Sequence, residues 1–93
     1  MTLVVVRHHV SDYDAWLKVY TSVDVAQLQK SGGVLDESIH QDAKDPREVL
    51  VLHRFANAAA AEAFVSNHDL AEAMKRGGVD GPPRVEIYED GKR

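Results

Sequence analysis

The chain predicts an α+β fold of the ferredoxin-like kind, βαββαβ, with one four-stranded antiparallel sheet and its helices packed on a single face. Three observations carry this prediction. Two segments, residues 2–9 and 48–56, hold runs of Val and Leu that are apolar on both alternate faces, as strands in the middle of a sheet are. Each is followed by a segment with apolar residues three or four apart, ended by a glycine pair, Gly32-Gly33 or Gly77-Gly78. Two more strand-like segments, residues 34–41 and 84–89, carry Asp36, Glu37, Glu86 and Glu89, which suits edges that must not pair with other chains. At 93 residues, a single domain spanning 1–93 is expected.

The elements follow in order. The first strand stops where Ser11-Asp12 introduces helix-start chemistry: Ser11 is the expected cap, and Asp14 sits at the positive end of the helix dipole. The first helix is expected over about residues 12–31, with Tyr13, Trp16, Leu17, Tyr20, Val23 and Leu28 on its apolar side. Residues 34–41 form a polar edge strand, and the turn around Pro46 leads into the central third strand. Asn57 caps a second helical region. A further start at Ser66, with Asp69 at capping-box spacing, predicts that this helix is interrupted or bent near Asn67. After Pro82-Pro83, residues 84–89 alternate with period two and form the fourth strand.

Composition excludes several classes. The chain has no cysteine, so a disulfide-stapled module, a zinc ribbon and a thiol redox enzyme are ruled out, and a cytoplasmic address is expected. Eleven basic residues against fifteen acidic ones give a formal charge of −4 with no basic patch, so no nucleic-acid partner is expected. The longest apolar run, residues 3–6, is far short of the roughly 20 residues that cross a bilayer, so no membrane partner is expected either. Two helices cover one face of a four-stranded sheet. The Val and Leu side chains on the other face then need a cover, and a homodimer packed through the sheet faces is the expected one.

Candidate site residues come from chemistry and placement. His8, at the end of the first strand, is the expected general base, because imidazole exchanges a proton near neutral pH. Trp16 and Tyr20, four apart on one helix face, are expected to hold a flat hydrophobic molecule beside it. His68, at the helix break, is the second expected catalytic residue, and His53, Phe64, Met74 and Tyr88 are expected to line the substrate site. His53 and Arg54 alternate, so only one can face the cleft, and the sequence leaves open which. Tyr88 alternates with Val85 and Ile87 and lines either a dimer core or a pocket. Five histidines invite a metal reading, but His8 and His9 point to opposite faces, and His8 and His53 fall roughly 15 Å apart at about 3.3 Å per residue. No metal and no cofactor are expected.

The stretch Arg7-His8-His9-Val10-Ser11-Asp12-Tyr13-Asp14-Ala15-Trp16, the Asp45-Pro46-Arg47-Glu48-Val49 segment, and residues 66–74 followed by Gly78-Val79 and Pro83 resemble the dimeric α/β-barrel superfamily. They resemble most its antibiotic-biosynthesis-monooxygenase-like and cyclase-like small proteins. The resemblance implies a dimeric barrel of two ferredoxin-like subunits. It also implies an activity among cofactor-independent monooxygenases, haem-degrading enzymes, polyketide cyclases and isomerases, with the cleft between sheet and helices. In oxygenating members an Asn, a Trp and a His or Tyr line that cleft. Here the asparagines are Asn57 and Asn67 and the tryptophan is Trp16 on the first helix, so that set does not transfer, although His68 matches a second-helix histidine. Two functions are expected: an oxygenase, cyclase or isomerase acting on a small aromatic or polyketide-like molecule, or a non-catalytic dimeric ligand-binding or stress-related protein.

Overall fold

β-Branched and apolar residues build the two middle strands, and polar residues mark the edges. The computed structural model describes residues 1–93. Its elements are β1 (Thr2–Val10), α1 (Tyr13–Tyr20), α2 (Val23–Ser31), β2 (Asp36–Gln41), β3 (Glu48–Phe55), α3 (Ala58–Val65), α4 (His68–Arg76) and β4 (Val79–Glu89). The sheet runs β2-β3-β1-β4 with every neighbouring pair antiparallel, the ferredoxin-like order with β1 and β3 central. No helix is long and apolar enough to cross a membrane.

Register decides which residues meet the helices. β1 pairs β3 with Val4 opposite His53, Val6 opposite Val51 and His8 opposite Val49. These residues face the helical layer, while Leu3, Val5, Leu50 and Leu52 take the open face. The core under the helices divides in two. Val4, Phe55, Ala61 and Phe64 pack at one end of the strands, and Val10, Trp16, Val49 and Val51 at the other.

Local boundaries depart from the sequence expectation in four places. The first helical region is two helices, because the Ser22 side chain caps a fresh start by accepting from the Val25 N–H, while Thr21 turns its hydroxyl back to the Leu17 carbonyl. Asp12, and not Ser11, caps α1 by accepting from the Ala15 N–H at 3.2 Å. Ser11 instead donates its N–H to the Gly78 carbonyl, and Gly78 has φ +78° with its missing Cβ facing the Ser11 hydroxyl.

The break near Asn67 is present, but Asn67 is its cap, accepting from the Asp69 N–H at 2.8 Å. Ser66 ends α3 by donating to the Glu62 carbonyl. β4 begins at Val79, upstream of the prolines. Between Arg7 and His9 its register jumps from Arg84 to Asp80, so Gly81-Pro82-Pro83 bulges from the ladder and its missing N–H donors are not needed.

Candidate functional site

The two core clusters leave a cleft at their junction, floored by the Val6–Val51 rung of the sheet. His8 and His53 flank that rung from opposite directions. They are four residues apart along the antiparallel pair, about 13 Å at ~3.3 Å per residue, so they form the two ends of one cleft and not a pair. α1 roofs the gap, because Trp16 and Tyr20 are one turn apart on its inward face. His8 meets Trp16 edge to face at 5.5 Å between ring centroids, Trp16 stacks on Tyr20 at 4.9 Å, and His53 lies 6.3 Å from Tyr20 and 5.2 Å from Phe64. Five rings thus form a continuous wall. Phe64, Val65, Leu70 and Met74 from α3 and α4, with Val85 of β4, complete a cavity of about 60 Å³.

Both imidazoles are 5% exposed, and the Nδ1 atom of each is buried without a hydrogen-bond partner. Leaving a buried polar atom unpaired costs about 1–3 kcal/mol, and the cleft does so twice. Burial lowers the pKa of His53 to about 4. It lowers that of His8 as well, against opposing contributions from a backbone hydrogen bond and the Glu48 charge. Both rings are therefore neutral near pH 7 and keep a lone pair for a proton or a donor.

The Nε2 atom of His53 lies 3.2 Å from the Tyr20 hydroxyl. That hydroxyl donates to the Glu37 carboxylate, also at 3.2 Å. Burial, then the Glu37 charge, raise the Tyr20 pKa, so its phenol stays protonated.

The structure brings six of the sequence-derived site residues to this cleft: His8, Trp16, Tyr20, His53, Phe64 and Met74. It does not bring His68 there. That side chain is 83% exposed on the first turn of α4 and lies 3.8 Å from Glu72, because the cap at Asn67 turns it outward. Tyr88 is also elsewhere: it pairs with Leu3 on the open face and donates to Glu86 at 2.9 Å. Arg54 takes the open face too, which leaves His53 as the inward member of that pair.

Sequence reasoning missed Val6, Val51, Val65, Leu70 and Val85, whose apolar side chains look like ordinary core, and Glu37, which reads as an edge-strand charge. Alternation with His8 and His53 is the signal that could have found the two floor valines.

Comparison with known proteins bears on this geometry. The family model for antibiotic biosynthesis monooxygenases matches residues 5–76. SnoaB, a cofactor-independent oxygenase from Streptomyces nogalater, superposes with a TM-score of 0.77 at 7% identity, over 99% of this chain and 94% of that one. A conserved protein from Methanosarcina mazei Go1 gives a TM-score of 0.75 at 15% identity, over 97% and 92% of the two chains. A candidate antibiotic biosynthesis monooxygenase from Deinococcus radiodurans gives 0.73 at 19% identity, over 100% and 95%. No curated protein matches the chain significantly.

Proposed function

The chain belongs to the antibiotic biosynthesis monooxygenase family, and from that premise we propose that it is an oxygenase of the cofactor-independent type, acting on a small hydrophobic or aromatic molecule in the cleft between sheet and helices. One observation carries the reading: two neutral, buried imidazoles with unpartnered Nδ1 atoms line an otherwise apolar, ring-walled cavity. An oxygenase without a cofactor must make its substrate the electron donor to dioxygen. Removing a proton from a phenol or from a carbon beside a carbonyl does this, leaving the electron pair on an enolate. His8 or His53 accepts the proton, and Trp16, Tyr20, Phe64 and Met74 hold the flat substrate against the sheet.

The test is a titration of the protein with flat hydrophobic ligands, among them a hydroxylated anthrone, following Trp16 fluorescence and dioxygen uptake together. Saturable quenching with dioxygen uptake is expected, with uptake lost in one of the two variants His8→Ala and His53→Ala, the one that removes the base, while quenching persists. Absence of both signals for every ligand overturns the reading. A second reading, a non-catalytic ligand-binding protein, is favoured by the separation of the two imidazoles, which stand about 13 Å apart at ~3.3 Å per residue and do not converge on one point of the cavity. Quenching without uptake in the unaltered protein supports that reading.

The same proposal includes a homodimer. Leu3, Val5, Leu50 and Leu52 occupy the middle of the open face, ringed by Arg7, Glu48, Arg54, Arg84 and Glu86. An apolar centre with a charged rim is the anatomy of a protein interface, and a second copy of this face matches it in size and character.

A further inference from the structure

We propose that Glu37 is the outer end of a proton path, Glu37–Tyr20–His53, that fixes the tautomer of His53 and makes its Nδ1 atom the base of the cleft. The proposal rests on reading the cleft as a proton-removing site, and it selects His53 over His8 for that role.

The path is built by register. β2 pairs β3 with Glu37 opposite His53, so a carboxylate on the exposed edge strand stands beside a buried imidazole, and Tyr20 descends from α1 between them. The phenol has one proton and two acceptors within 3.2 Å. A charged carboxylate is the stronger acceptor, so the proton goes to Glu37. The Tyr20 oxygen is then free only to accept: the Gln29 side chain is one donor to it, and the one ring atom within reach that can donate to it is Nε2 of His53. This arrangement alone satisfies both contacts, because the reverse leaves two lone pairs facing each other between Tyr20 and Glu37. With the hydrogen on Nε2, the Nδ1 lone pair is the unpaired buried atom; it is covered in the ligand-free fold, so a substrate reaches it only by displacing the side chains packed over it. His8 has no side-chain relay of this kind: its ring neighbour is Trp16, and the hydrogen bond that bears on its ring is to backbone, not to a side chain that leads to solvent.

The proton balance closes. A substrate C–H or O–H proton passes to Nδ1 and leaves its electron pair on the substrate. The Nε2 hydrogen passes to the Tyr20 oxygen as the Tyr20 hydrogen passes to Glu37, which is exposed and releases it to water. At this point His53 is neutral with its hydrogen on Nδ1 and Tyr20 has not been ionised. The Nδ1 hydrogen then passes to the oxygen of the reduced dioxygen adduct, and a proton returns from water through Glu37 and Tyr20 to Nε2, which restores the starting tautomer. Glu37 touches no substrate and is a positioning residue.

The experiment reads the tautomer directly by long-range proton–nitrogen correlation spectra of ¹⁵N-labelled, ligand-free protein. His53 is expected as the Nε2–H tautomer. In Glu37→Ala the released Tyr20 hydroxyl donates to Nε2 and shifts His53 several-fold toward the Nδ1–H form, and in Tyr20→Phe the two forms mix, while His8 is unchanged throughout. An Nδ1–H tautomer in the unaltered protein, or a Glu37→Ala spectrum identical to it, overturns the proposal. Because no ligand is needed, this result is separable from the Trp16 titration: failure of that titration removes the enzymatic reading and leaves the tautomer answer standing. With dioxygen uptake on the hydroxylated anthrone as the readout, Glu37→Ala is expected to lower kcat on the order of tenfold at unchanged KM, less than the roughly 10²–10⁴ of a group that takes the proton directly from the substrate. An unchanged kcat also overturns the proposal.

Discussion

His53 holds an imidazole where charge is disfavoured and one nitrogen goes unpaired, so its protonation is linked to folding. Burial lowers its folded-state pKa from 6.5 to about 4, and that of His8 shifts in the same direction. Between those values the unfolded chain binds more protons than the folded one. Stability is therefore fully present above pH 6.5 and declines as the pH falls toward 4, by on the order of 3 kcal/mol for His53 at about 1.4 kcal/mol per pKa unit. Urea midpoints across that range should show the decline, and His53→Phe should remove most of the slope while leaving the part due to His8.

At the same scale, the i, i+4 spacing of Trp16 and Tyr20 was legible in the sequence because a helix puts such residues on one face whatever surrounds it. The Glu37 contact was not. It depends on a β2–β3 register that no local pattern states.

The helices come as short pairs, each piece with its own cap. Asn57 accepts from the Ala60 N–H at 2.9 Å, whereas Ser22 accepts from Val25 at 3.4 Å. Asn57→Ala should thus cost about 1 kcal/mol and Ser22→Ala nearer 0.5 kcal/mol, measured by thermal unfolding. Gly78 ends α4 with φ +78°, and a Cβ there would lie 2.7 Å from the Ser11 hydroxyl oxygen. Strain and clash together should make Gly78→Ala destabilising by roughly 1–3 kcal/mol, whereas Gly91→Ala, with open space around it, should be neutral.

The break at Asn67 was readable from its polar residues, and the one at Thr21-Ser22 was hidden by apolar spacing that continues through it. The α4 wall matters for binding: a ring larger than the cavity must displace Leu70 and Met74. Hydrogen exchange in α4 should change when a flat ligand saturates Trp16 quenching, and unchanged exchange would place the ligand elsewhere.

For the whole molecule, the open sheet face governs behaviour. If two copies pack through it, Val5→Arg combined with Leu52→Glu should turn a dimer into a monomer by analytical ultracentrifugation, with far-ultraviolet circular dichroism intact. A monomer before substitution would refute the dimer.

Element order, the central position of β1 and β3, and the polar edges follow from the sequence alone, because side-chain alternation and helix punctuation are local and the antiparallel order leaves few ways to connect them. Tertiary structure decided the rest: that His53 and not Arg54 turns inward, that His68 and Tyr88 stand away from the cleft, and that Glu37 reaches Tyr20. Those outcomes turn on strand register and on which cap ends each helix. Both are fixed by packing between residues far apart in the chain, which neighbouring residues cannot specify.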